Sequence, residues 1–307
     1  MSRIFRVAPL LFLSGACSLV YQAAWMREFR LVFGASTLAS AAVTAIFMGG
    51  LGLGSWWGGR YVDRHRAPLL LYGNLELVVA AFAALTPFLV PLVRVIYVGI
   101  GGSLLLGEAG ASIVRLLLSA VVLAGPTLAM GATLPAVISA AANAAGDDRR
   151  PVGWLYGANT LGAVCGTLLA TFALIEIYGI RQTLWLAALV NVLVGLVGRV
   201  LSRTWPGESR GPAATVAARS AMDRTQRILV LAAAVVGFVF FLMEMVWYRL
   251  LSPVLGGSTF TFGLILAVAL LGIAVGGALH SLLASKEGGS PSTLAVTCLL
   301  EALFLAL

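Results

Sequence analysis

"LVYQAAWMREFRLVFGASTL", residues 19–38, and "FLMEMVWYRLLSPVLGGSTF", residues 241–260, are two versions of one passage. Sliding the chain against itself by 222 positions sets Gly15 on Gly237, Gln22 on Glu244, Trp25 on Trp247 and Arg27 on Arg249. Without a gap, Gly34, Ser36 and Thr37 then meet Gly256, Ser258 and Thr259, and Gly50 and Gly54 meet Gly272 and Gly276. Three extra residues in the next loop bring Glu76 onto Glu301. A match held from residue 15 to residue 54 marks an internal duplication.

Both copies lie in apolar runs. The chain is 60% hydrophobic and 10% charged, with a mean hydropathy of +1.00. Soluble domains carry roughly a quarter charged residues, and a helix crosses a bilayer with about 20 apolar residues. The pattern predicts spans near 7–26, 35–57, 69–92, 114–142, 153–175, 182–201, 228–247 and 254–283, with a ninth starting near 293. The expected class is an all-α integral membrane protein of about eight or nine spanning helices.

The net charge of +8 does not call for a nucleic acid. With a cytoplasmic N-terminus, only Arg27, Arg30, Arg94, Arg115, Arg181 and Arg249 fall on the outer side, leaving 14 of the 20 basic residues inside. That is the asymmetry of the positive-inside rule; the expected location is the cell (inner) membrane. The first apolar run continues past Cys17 to Met26 and has a counterpart at 229–248, so it reads as a spanning helix rather than a cleaved signal. Cys17, Cys165 and Cys298 lie far apart in predicted helices and suggest buried thiols, with no metal-ligand spacing.

Six spans separate the two copies, so both have the same orientation. Residues 1–201 form the first repeat and 228–307 the beginning of a second. The Pro-, Gly- and Arg-containing stretch 202–227 is expected to be a cytoplasmic linker. Parallel six-helix repeats resemble the layout of major facilitator transporters. Residue 307 falls inside a span, so the second half is read as incomplete, either through a short ninth helix or because the chain is a fragment; the fragment is favoured.

Acids inside spans are the natural candidates for function, because an intramembrane charge is costly and needs a partner. Glu76 and Glu301 sit at equivalent places and suit cation or proton binding; pairing with an arginine or a polar packing contact serves as well. Glu244 and Trp247 share a helical face, a carboxylate beside an aromatic ring that suits an organic amine. Gln22 and Trp25 are their counterparts. Interfacial tryptophan anchors with charges capping helix ends fit the same residues. Glu244 and Arg249 stand about 140° apart around a helix and pair only if it breaks, for which Pro253 is at hand. Pro126 and Pro135 similarly suggest a bent fourth span, and Glu176 reads as interfacial.

Gly50, Gly54 and Gly58 recur every fourth residue and Gly272 and Gly276 repeat the spacing, a stripe for close helix packing rather than a nucleotide loop. "GGRYVDRHR" at 58–66 resembles the loop between the second and third helices of major facilitator transporters. Gly59, Asp63 and Arg64 fit that signature, whereas Arg66 stands where it has a second glycine. A gating latch is what the likeness implies; a solvated basic turn is the plain alternative. His65 and His280 have no partnered acid or nucleophile, so no catalytic set, cofactor site or metal site is expected.

"FMGGLGLGSWWGGRYVDR", "TLAMGATLPAV" and "GWLYGANTLGAVCGTLLATFALIEIYGIRQTL", taken with the doubled passage, resemble the membrane part of the fused major-facilitator/spermidine-synthase family. The likeness covers essentially the whole chain, and the Gly157–Gly162 stretch is among its more specific parts. It implies a soluble aminopropyltransferase-like domain following the membrane half. No strand–glycine-loop–helix unit for such a domain occurs in these residues, so no catalytic residue carries over. Three readings follow: a transporter-like module moving or sensing polyamines or related small cations, a membrane anchor for a synthase domain, and a packing subunit of a larger membrane assembly.

Overall fold

In hydrocarbon the peptide groups have no water to bond, so an apolar chain satisfies them by forming helices. The computed structural model describes residues 4–33, 37–62, 64–145, 150–205, 224–283 and 291–306. Gly34, Ser36, Asp63 and most of the 202–227 linker lie outside these residues. The described chain contains no strand. Its elements are α1 (Ile4–Phe33), α2 (Thr37–Val62), α3 (Pro68–Gly99), α4 (Gly102–Ala145), α5 (Arg150–Leu169), a π-helical turn (Ala170–Leu174), α6 (Ile175–Ser202), α7 (Arg224–Leu255), α8 (Thr259–Leu283) and α9 (Pro291–Ala306).

Among the described residues six helical stretches are long and apolar enough to cross a membrane: Arg6–Leu31, Pro68–Gly99, Gly102–Ala142, Val152–Ser202, Arg227–Leu255 and Thr259–Gly277. The fourth of these is 51 residues long, about 75 Å if straight, against a hydrocarbon core near 30 Å. Gly179 interrupts it with φ 78 and ψ 170, a conformation open to glycine. The loop expected at 176–181 falls there.

The fourth span begins earlier than the pattern predicts. Helix α3 continues to Gly99, the chain reverses at Gly101 and Gly102, and α4 starts at Gly102 with one non-helical residue, Gly107. Arg94 and Arg115, expected on the outer side, flank this stretch. They do not end the helices, because long side chains near a helix end find local partners: Arg115 donates to the Tyr97 hydroxyl at 3.0 and 2.8 Å. One proline expectation also changes. Helix α7 runs through Pro253 to Leu255 without a break between Glu244 and Arg249; α4 carries Pro126 and Pro135 within its helix. Each proline forfeits one backbone bond, a loss that a packed spanning helix tolerates.

Close approach of backbones sets the packing. Added Cβ atoms on Gly50, Gly54 and Gly58 of α2 would run into Thr127, Leu128 and Ala132 of α4, and one on Gly131 into Leu51. Likewise Gly15 of α1 abuts Asn159 of α5, while Gly162 and Gly166 of α5 abut Phe12 and Ala16. Without a strong hydrophobic drive between helices in lipid, such small-residue seams carry the association. Register follows from the bonds. Ser14 reaches Glu76 and Trp25 reaches Thr86, so α1 and α3 run parallel. Glu76 meets Asn191 and Ala84 meets Trp185, so α3 and α6 run antiparallel.

The core forms two apolar clusters. One contains Leu10, Leu11, Leu69, Tyr72, Val137 and Val194. The other contains Tyr21, Trp25, Phe29, Phe47, Val79, Ala83 and Leu184. Leu75 and Val190 touch both. Many large apolar side chains point outward, among them Leu85, Phe88, Leu92, Leu189 and Leu193, as lipid-facing surfaces require.

Candidate functional site

Between the two clusters lies a polar node. Glu76 is eight residues into α3, about 12 Å along the axis at 1.5 Å per residue, and its side chain is buried at 1% exposure. Its Oε1 accepts a hydrogen bond from Ser14 Oγ of α1 at 2.5 Å, and its Oε2 accepts one from Asn191 Nδ2 of α6 at 2.8 Å. The Tyr72 hydroxyl comes close to this pair but makes no well-formed bond. Ser14 and Asn191 are themselves buried, at 4% and 1%. Three helices therefore converge on one carboxyl through neutral donors. No basic side chain pairs with it; among the described residues the salt bridge joins Arg27 to Glu176 instead, at 2.6 Å.

The doubled passage gives a second set of enclosed polar groups. Gln22 and Glu244, equivalent in the repeat, are both fully buried. Among the described residues the amide oxygen and nitrogen of Gln22 and both carboxyl oxygens of Glu244 have no hydrogen-bond partner. A buried group left unsatisfied costs about 1–3 kcal/mol, so these positions are ready for a partner. Trp25 is completely buried, donates through Nε1 to Thr86 Oγ1 at 3.0 Å and stacks on Tyr21 at 5.5 Å. Trp247 is half-buried against the same core cluster.

Glu301, by contrast, is exposed on α9 and does not share the enclosure of Glu76. Gly272 and Gly276 have no neighbour within 4 Å of an added Cβ, unlike Gly50 and Gly54, so their stripe is unfilled within the described chain. Gly59 is likewise open, and Arg64 is exposed. Asp63 lies outside the described residues, so the loop signature is seen only at Gly59 and Arg64. Cys17 is buried, while Cys165 and Cys298 are only partly so. The described residues contain no group of three or more His, Cys, Asp or Glu fit to hold a metal.

Sequence reasoning passed over Ser14, Thr86 and Asn191. Each is an uncharged polar residue in an apolar run, and the rule that intramembrane polarity needs a partner would have flagged Asn191 in "LVNVLV" as readily as an acid. It also passed over the far end of α1. There Arg27 bonds Glu176, placed near the α5–α6 break, and Arg30 donates to the Gly257 carbonyl at 2.9 Å. Comparison with known proteins finds no matching family model, no matching curated protein and no matching solved structure.

Proposed function

We propose that this chain is a transporter-like membrane module that binds a small organic cation, of the polyamine class, and couples its movement to a proton or another ion. One observation carries the reading: Glu76 and Glu244 are both buried carboxyls with no basic partner. A carboxyl enclosed without a countercharge completes its charge balance with a proton or a cation from outside the protein. The two acids take different roles because their surroundings differ. Glu76 already holds two neutral donors and suits an ion that comes and goes without rebuilding the node. Glu244 has both oxygens free and, beside Trp247, suits an alkylammonium group.

The proposal includes two parallel repeats of a major-facilitator-like bundle, with about eight or nine crossings once Val152–Ser202 counts as two and α2 and α9 are added to the six apolar stretches. The Arg30–Gly257 bond supports it, since it sets the ends of α1 and α7 at one end of the bundle. The shared state of Gln22 and Glu244, enclosed and unpartnered, supports it too. An N-terminus on the cytoplasmic side follows from the arginine asymmetry. A packing subunit is the competing reading and draws on the open faces of Gly272 and Gly276; a synthase-like partner domain fits either.

Binding of labelled spermidine to the purified chain tests the ligand class. Saturable binding, competed by putrescine, lost in Glu244→Gln and kept in Glu301→Gln, is expected. Absence of saturable binding, with normal assembly into a larger complex, transfers the case to the packing subunit.

A further inference from the structure

An open groove on the described chain is lined by neither Glu76 nor Glu244. It has a volume of about 560 Å³ and follows the seam of α2 and α4, reaching the last turn of α2. The groove exists because its floor is made of small residues: Gly58 and Ala132 meet there without side chains to fill the space. Its upper edge carries Arg60 and Arg64, with Trp57 and Tyr61 beside them. All four are exposed. The Arg60 guanidinium rests 3.7 Å from the centre of the Trp56 ring, which fixes it at the rim. Among the described residues neither guanidinium has a carboxylate partner or a hydrogen bond, so their side-chain donors are uncommitted.

From this geometry we infer that the groove is a binding site for an anionic glycerophospholipid. The phosphodiester lies between Arg60 and Arg64, and an acyl chain follows the small-residue floor toward mid-membrane. The chemistry matches at each level. A guanidinium presents forked N–H donors to phosphate oxygens. Tryptophan and tyrosine settle at the depth of lipid headgroups. Basic pockets between spanning helices hold anionic headgroups. The volume alone falls within the roughly 300–1,000 Å³ of ligand clefts. A zwitterionic lipid fits less well, because its own ammonium group competes for the phosphate against the two arginines and the described lining offers it no acid.

The test is thermal unfolding of the full chain in neutral detergent, titrated with phosphatidylglycerol, with phosphatidylcholine of the same acyl chains, or with inorganic phosphate. A rise in Tm specific to phosphatidylglycerol is expected. The double variant Arg60→Gln/Arg64→Gln weakens the apparent lipid affinity about tenfold or more, with its Tm in phosphatidylcholine unchanged. Arg94→Gln, an exposed arginine on α3 away from the groove, leaves the affinity as it is. Native mass spectrometry counts retained phosphatidylglycerol directly, and the double variant should lose one tightly held molecule. Equal stabilisation by both lipids, an unchanged response in the double variant, or full reproduction of the effect by free phosphate each overturns the proposal. So does a groove that takes up lipid only after another helix or chain is stripped from it.

Discussion

Replacing Gly54 by alanine isolates the packing that joins α2 to α4. An added Cβ at Gly54 comes within 2.8 Å of the Leu128 carbonyl carbon and 2.9 Å of its Cα, and closer still to its carbonyl oxygen. Ordinary carbon contacts lie near 3.5–4.0 Å, so the backbones must part by half an ångström or more. A backbone atom cannot rotate away as a side-chain tip can. Gly52, one half-turn away on the same helix, is exposed and its added Cβ meets nothing within 4 Å. Both substitutions gain the same helix propensity, about 1 kcal/mol, which cancels in the comparison. What remains is the overpacking at Gly54, about 1–3 kcal/mol, or roughly 5- to 150-fold in the unfolding equilibrium. Reversible unfolding of the two variants in mixed micelles, followed by far-UV circular dichroism, measures the difference. Equal stability of Gly54→Ala and Gly52→Ala refutes the seam.

Two further substitutions probe the buried bonds. Asn191→Ala removes the donor to Glu76 Oε2 and should cost about 1.5–3 kcal/mol; in a Glu76→Ala background the cost should fall by at least about 0.5 kcal/mol, and strict additivity in that cycle counts against the node. Trp25→Phe keeps most of the ring but loses the Nε1 bond to Thr86, so it should destabilise by about 1–3 kcal/mol, whereas half-buried Trp247→Phe should cost less; thermal unfolding of the pair decides it.

Much of the helical layout can be read from the sequence because lipid leaves the backbone few choices. Apolar runs mark the helices, and the reversal in "IYGIRQ" is marked by Gly179, where the structure departs from helical geometry. Where charges lie near helix ends the reading fails. Arg94 and Arg115 lie beside the reversal expected between the third and fourth spans, yet Arg115 finds the Tyr97 hydroxyl, α3 runs on to Gly99 and α4 is helical again directly after Gly107. Proline misleads for a related reason, since Pro253 costs one bond near the end of a helix that does not depend on it.

Glu76 stands out in the sequence because a carboxyl inside a span is rare. Its partners do not. Ser14 and Asn191 are 62 positions before and 115 after it, and no local period links them; only the antiparallel and parallel packing of three helices does. The glycine stripes show the same division. Gly50 and Gly272 have equal spacing in the two copies, but the first has α4 against it and the second has open space. Spacing announces a packing face without saying what fills it.

Uptake of labelled spermidine into proteoliposomes, driven by a pH gradient or by a membrane voltage, addresses the proposed role of the buried acid most directly. Accumulation by the wild-type chain, abolished by Glu76→Gln and unaffected by Glu301→Gln, is the predicted result. Accumulation by Glu76→Gln at the wild-type rate contradicts it, as does wild-type protein that concentrates no organic cation under either driving force.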